Sequence, residues 1–158
     1  MTKKILAAAL VALIATKASA QTANQTVTFQ VDAINQIAFT GSPSLVVSTA
    51  TAGSPPSAVS SGVATWAVTT NQSGAKITAS INSAMPAGLT LSSNLAAPAG
   101  ATGLGLTALT TTAADLVTGI TKVAQGSLAV TYQLDATVAA GVVASTTRTV
   151  TYTITGGT

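Results

Sequence analysis

Beyond residue 20, apolar side chains recur at every second position wherever they recur regularly, and no long stretch carries the 3.6-residue period of an amphipathic helix. Thr26–Ala33 alternates polar and apolar residues without interruption. Lys76–Asn82 and Val130–Val138 do the same, and Val150, Tyr152 and Ile154 interleave with a run of threonines near the C-terminus. These runs are rich in β-branched residues, which suit a pleated surface buried on one face. Such a chain can bury its apolar residues only by stacking sheets. About seven to nine short strands separated by turn signals predict an all-β fold, an antiparallel β-sandwich of immunoglobulin-like or jelly-roll-like kind.

Turn chemistry divides the strands. Asn71-Gln72-Ser73-Gly74 lies between alternating runs at 63–70 and 75–82, which predicts an antiparallel pair closed by that turn. Ala139-Ala140-Gly141 opens a longer connection between strands at 127–138 and 146–156. Glycine and proline mark 41–62 and 96–103 as loops, with a short strand over Leu45–Thr49. Weaker strands fall at Gly88–Ser92, Leu104–Leu109 and Leu116–Thr121, and Thr111–Asp115 suits one helical turn capped by Thr112. The expected core is Phe29, Val31, Trp66, Val68, Ile77, Ile81, Tyr132, Leu134, Val150, Tyr152 and Ile154, with Trp66 at its centre. No repeat or change of composition divides residues 21–158, so one domain is expected there.

The first twenty residues follow a different pattern. Lys3 and Lys4 precede an apolar run from Ile5 to Ala15, and the small residues Ala18-Ser19-Ala20 follow, as in a cleaved secretory signal peptide. The apolar run is well short of the roughly 20 residues needed to span a bilayer. Lys17 is unusual for a cleavage region. Cleavage would expose Gln21 and place the mature chain outside the cell membrane, secreted or held at the cell surface.

Removing that segment changes the charge balance. The formal charge of +3 comes from Lys3, Lys4 and Lys17; residues 21–158 carry Lys76, Lys122 and Arg148 against Asp32, Asp115 and Asp135 and are neutral. No cluster of basic residues remains to follow a phosphate backbone, so nucleic acid is not an expected partner, and no membrane span is expected in the mature chain. Cysteine is absent, so stability must come from packing without disulfides. A neutral surface rich in hydroxyls also lacks the self-repulsion that keeps proteins apart, which favours self-association.

Enzymatic chemistry has little material here. With no His, Cys or Glu, the usual general bases and nucleophiles are missing. The three aspartates lack the spacing of a calcium loop, and two of them fall at outward strand positions. They are expected to be solvated charges. No Gly-x-Ser-x-Gly elbow occurs, and Gly103-Leu104-Gly105 lacks the third glycine of a nucleotide loop. A non-enzymatic protein is therefore expected, with no cofactor and no metal.

Two features can carry binding. Thr147, Thr149, Thr151, Thr153 and Thr155 share one face of the last strand and suit either an ordinary solvent face or a hydroxyl array for a glycan or ice. Gln21–Asn35 is an extended alternating segment that begins at the cleavage site. It suits the first strand of its own sandwich, or a strand that leaves its subunit and completes a neighbour's sheet with Val27, Phe29 and Val31 as the inserted side chains. Donation of that kind does not close on itself and builds filaments.

The signal segment followed by Thr26-Val27-Thr28-Phe29-Gln30-Val31, the strand Trp66-Ala67-Val68-Thr69 and the closing Val150-Thr151-Tyr152-Thr153-Ile154-Thr155 resemble exported β-sandwich subunits of bacterial surfaces: fimbrial pilins, biofilm-fibre subunits and WxL cell-surface domains. The chain departs from WxL domains in having one tryptophan, followed by Ala67-Val68, and from many fimbrial subunits in lacking a disulfide. The resemblance implies adhesion or fibre building. The expected function is that of a secreted structural subunit that associates with itself or with other surface proteins by strand-edge pairing; the alternative is a monomeric adhesin or carbohydrate-binding module.

Overall fold

The computed structural model describes residues 20–158, so the proposed signal segment, apart from Ala20, lies outside the described residues. The chain divides between Val31 and Asp32 into two units. Residues 20–31 of the first unit contain no strand, and Val27, Phe29 and Val31 are 71%, 90% and 78% exposed. This corrects two expectations. The first strand of the sandwich does not run over Thr26–Ala33, and Phe29 and Val31 are not core residues. Alternation marks a segment as able to form a strand but does not name its partner, and the next alternating segment, Asn35–Thr40, takes the place instead.

The second unit is all-β, built from nine strands in two antiparallel sheets. Strand β1 is Asn35–Thr40, β2 Val59–Thr70, β3 Ala75–Ile81, β4 Leu89–Leu95, β5 Thr102–Gly103, β6 Thr107–Ala108, β7 Ala114–Ile120, β8 Val123–Ala136 and β9 Val150–Thr155. One sheet has the order β1-β2-β8-β4-β6 and the other β5-β7-β3-β9. Their inner faces share one core, in which Trp66, Val68 and Val130 of the first sheet meet Ile77, Leu116, Val117 and Ile120 of the second. Burial in β3 alternates along its whole length, as its period of two requires.

The turn at Asn71–Gly74 does not close a hairpin. Strand β2 pairs with β1 and β8, whereas β3 pairs with β7 and β9 in the opposite sheet. The turn is an arch that carries the chain across the core, because both flanking strands need partners on both sides and the two sheets provide them separately. Thr111–Asp115 is not helical: the Thr110 hydroxyl donates to the Thr112 carbonyl and accepts from its amide, and β7 starts at Ala114. The helical structure among the described residues is a single 3-10 turn, Val138–Ala140. Leu45–Thr49 does not join a ladder, although Pro43, Leu45 and Val47 are half-buried while Ser44, Val46 and Ser48 are exposed, the alternation of a strand.

The long strands give the second unit two poles. Asp32, the 71–74 turn and the C-terminus lie at one pole: the Asn71 side chain donates to the Asp32 carbonyl, its Oδ1 accepts from the Ile34 amide, and Ser73 and Thr158 exchange backbone hydrogen bonds. At the other lie Gly41, Asn82–Ala84, Gly88 and Thr137–Gly141, tied by the Thr137 amide donating to the Gly88 carbonyl and by Arg148 donating to the Ala84 carbonyl.

Candidate functional site

Strands β1 and β9 are edge strands on the same side of the sandwich, and their inward residues Ile37, Phe39, Val150, Tyr152 and Ile154 are only half-buried, unlike Ile77 or Val130 in the middle of the sheets. Between them, toward the Gly41 pole, a groove of about 990 Å³ opens over the inner face of β8 and β4. Its size stands at the upper end of the roughly 300–1,000 Å³ typical of ligand sites. The floor is formed by Leu89, Leu91, Leu134 and Tyr132, and the flanks by residues 43–50 on one side and 143–148 with Val150 and Tyr152 on the other.

Four of the chain's five aromatic side chains gather at or beside this groove. Phe39 of β1 stacks on Tyr152 of β9 with ring centroids 3.9 Å apart, and on Trp66 of β2 at 5.9 Å. The Tyr132 and Tyr152 hydroxyls are 2.6 Å apart, and the Ser93 hydroxyl is 3.3 Å from that of Tyr152. Burial raises both phenols above the ordinary value of 10.0; the hydrogen bond to Ser93 pulls Tyr152 the other way without offsetting it, as the bond to Tyr152 does for Tyr132. The fifth aromatic is the exposed Phe29.

The groove walls are short of backbone partners. Among the described residues, 42–48 and 142–146 make no backbone-to-backbone hydrogen bond, and β9 is paired along one side alone, to β3. Two stretches outside any ladder and the outer side of an edge strand therefore lie beside apolar side chains without backbone partners.

The other candidate residues lie elsewhere. Thr151, Thr153 and Thr155 face solvent on β9, opposite Ser80, Thr78 and Lys76 of β3, while Thr147 and Thr149, also exposed, precede the strand. This hydroxyl face is interrupted at β7 by Asp115, whose carboxylate is 2.9 Å from the Lys76 ammonium. Asp135 accepts from the Gln133 amide on β8, in the opposite sheet from Asp115. Among the described residues no three acidic side chains converge. Trp66 is 1% exposed and donates through Nε1 to the Ala96 carbonyl at 3.1 Å, so its ring presents no platform to a sugar. No described helix is long and apolar enough to cross a membrane.

Sequence reasoning found the aromatic residues but not the groove, because its walls come from segments far apart in sequence that only the tertiary structure brings together. No protein family, curated protein or solved structure matches this chain.

Proposed function

We propose that this chain is an exported, non-enzymatic structural subunit of an extracellular fibre, pilus-like assembly, biofilm matrix or surface layer, whose copies associate by strand-edge pairing through the segment that follows residue 20. The observation that carries it is the exposure of Val27, Phe29 and Val31 at alternate positions of a segment that forms no strand. Each such side chain gains roughly 1.5–3 kcal/mol on full burial, so a partner that covers all three has a substantial driving force. Neutral charge over residues 21–158 removes the repulsion that would oppose close packing of copies. The likeness in pattern to fimbrial, biofilm-fibre and WxL subunits, and the leader that ends in Ala18-Ser19-Ala20, point to the same role outside the cell.

The test compares residues 21–158 with residues 32–158 by size-exclusion chromatography and negative-stain microscopy. The longer chain is expected to form filaments or oligomers, and the shorter one to stay monomeric with an unchanged circular-dichroism melt. A longer chain that remains strictly monomeric at high concentration overturns the proposal.

A further inference from the structure

We propose that the groove at the Gly41 pole binds a long-chain carboxylate, a fatty-acid-like anion whose alkyl chain lies on the apolar floor and whose head meets Arg148. This is a small-molecule site and does not depend on the self-association proposed above. Three observations carry it.

The first is the apolar path along the groove. Leu89 pairs with Ala136, Leu91 with Leu134 and Ser93 with Tyr132, so the floor runs from the pole inward to the tyrosine pair. Met85 and the three leucines give that path an aliphatic lining, and the exposed Val46 and Val143 continue it on the two flanks. An alkyl chain laid there takes its own methylenes and both valines out of water together.

The second is charge. Arg148 is the only charged residue among those that line the groove, and no aspartate joins it there. Its Nε and Nη2 donate to the Ala84 carbonyl at 3.2 and 2.9 Å, and its Nη1 donates to the Thr146 hydroxyl and the Thr147 carbonyl at 3.3 and 2.8 Å. All of these acceptors are neutral. They hold the guanidinium at the pole and use four of its five N–H groups, which leaves one Nη2 hydrogen and the positive charge for an anion.

The third is the shortage of partners for a ligand that is polar throughout. The Tyr132 and Tyr152 hydroxyls bond each other, and the Phe39 and Tyr152 rings are stacked face to face, so neither the phenols nor those ring faces are open to a sugar. Among the described residues no buried side-chain nitrogen or oxygen lacks a hydrogen-bond partner. A floor of that kind gains from hydrocarbon and offers little to a row of hydroxyls, which places the ligand's one polar group at Arg148.

The experiment titrates residues 21–158 with dodecanoate, neutral dodecan-1-ol and cationic dodecyltrimethylammonium by isothermal titration calorimetry, each kept below its micelle concentration. The expected result is one dodecanoate per chain, bound roughly tenfold or more tighter than the alcohol, with the cation weakest. Arg148→Gln is expected to abolish the preference for the anion while leaving the alcohol's affinity unchanged. If that variant does not fold, the order of the three ligands on the unaltered chain decides alone. A diazirine at the far end of the alkyl chain locates the site: labelling of residues 85–91 and 132–134 is expected, and labelling of Val27–Val31 or of the outer threonine face overturns the groove. Equal affinity for the three ligands, an unchanged preference in Arg148→Gln, several sites per chain or no saturable binding each overturn the proposal. Self-association is read separately by chromatography and does not change with any of these outcomes.

Discussion

Trp66 shows how far a single position can be argued from sequence. Its place in the alternation Thr65-Trp66-Ala67-Val68 turns it inward, and the fold buries it to 1% exposure and gives its indole nitrogen the Ala96 carbonyl as acceptor. Trp66→Ala removes the largest core side chain and leaves a cavity, so it is expected to cost about 3–5 kcal/mol in chemical denaturation; a change below about 1 kcal/mol would show that the ring is not central. Phe29 has the same local signature and the opposite fate, since it is 90% exposed. Nothing in the neighbouring residues separates the two, because what differs is whether another strand lies over the side chain. Thr151 is the opposite test at this scale. It faces solvent on an edge strand, so Thr151→Val should shift the denaturation midpoint by no more than about 0.5 kcal/mol, and a larger loss would mean that its hydroxyl is used.

At the scale of elements, the inward residues Ile37, Phe39, Ile77, Ile81, Val150, Tyr152 and Ile154 all lie where period two places them, but partnership among strands was not legible. The Asn71–Gly74 turn has the residues of a hairpin and makes an arch, because local turn chemistry sets the reversal of direction and not the plane in which the returning strand pairs. Where β1 ends is set by sterics. Gly41 has φ +94°, and a Cβ there would lie 2.8 Å from both the Ala64 Cα and the Val63 carbonyl oxygen, so the chain leaves β2 at a residue that tolerates both constraints. Gly41→Ala combines a disfavoured backbone with a backbone clash and is expected to cost about 1–3 kcal/mol, measurable as a lower denaturant midpoint. A neutral result would mean that the chain can leave β2 by another path. The stretch after the break, 42–48, runs free of any ladder along the groove.

The molecule as a whole is tied across its layers by the Tyr132–Tyr152 pair, which joins β8 of one sheet to β9 of the other through hydroxyls 2.6 Å apart. Both phenols are raised above 10.0 in the folded state, first by burial. Below about pH 10 folded and unfolded chains are alike protonated at these positions and stability is insensitive to them. Above it the unfolded chain releases protons that the folded chain retains, so stability falls as pH rises. Unfolding midpoints compared at about pH 8 and about pH 11 should show this loss, and Tyr152→Phe should flatten it; an unchanged slope in the variant would remove the pair as the cause.

The sequence by itself determined the class of fold, the near absence of catalytic groups and the neutrality of residues 21–158, because periodicity and composition are properties of the chain and survive any arrangement of it. Tertiary structure alone decided which alternating segment became β1, that the 71–74 turn crosses the core, and that a groove lies at the pole opposite Asp32. Those outcomes depend on backbone pairing between segments far apart in sequence, and a pairing is satisfied or left open only when both partners have been brought together.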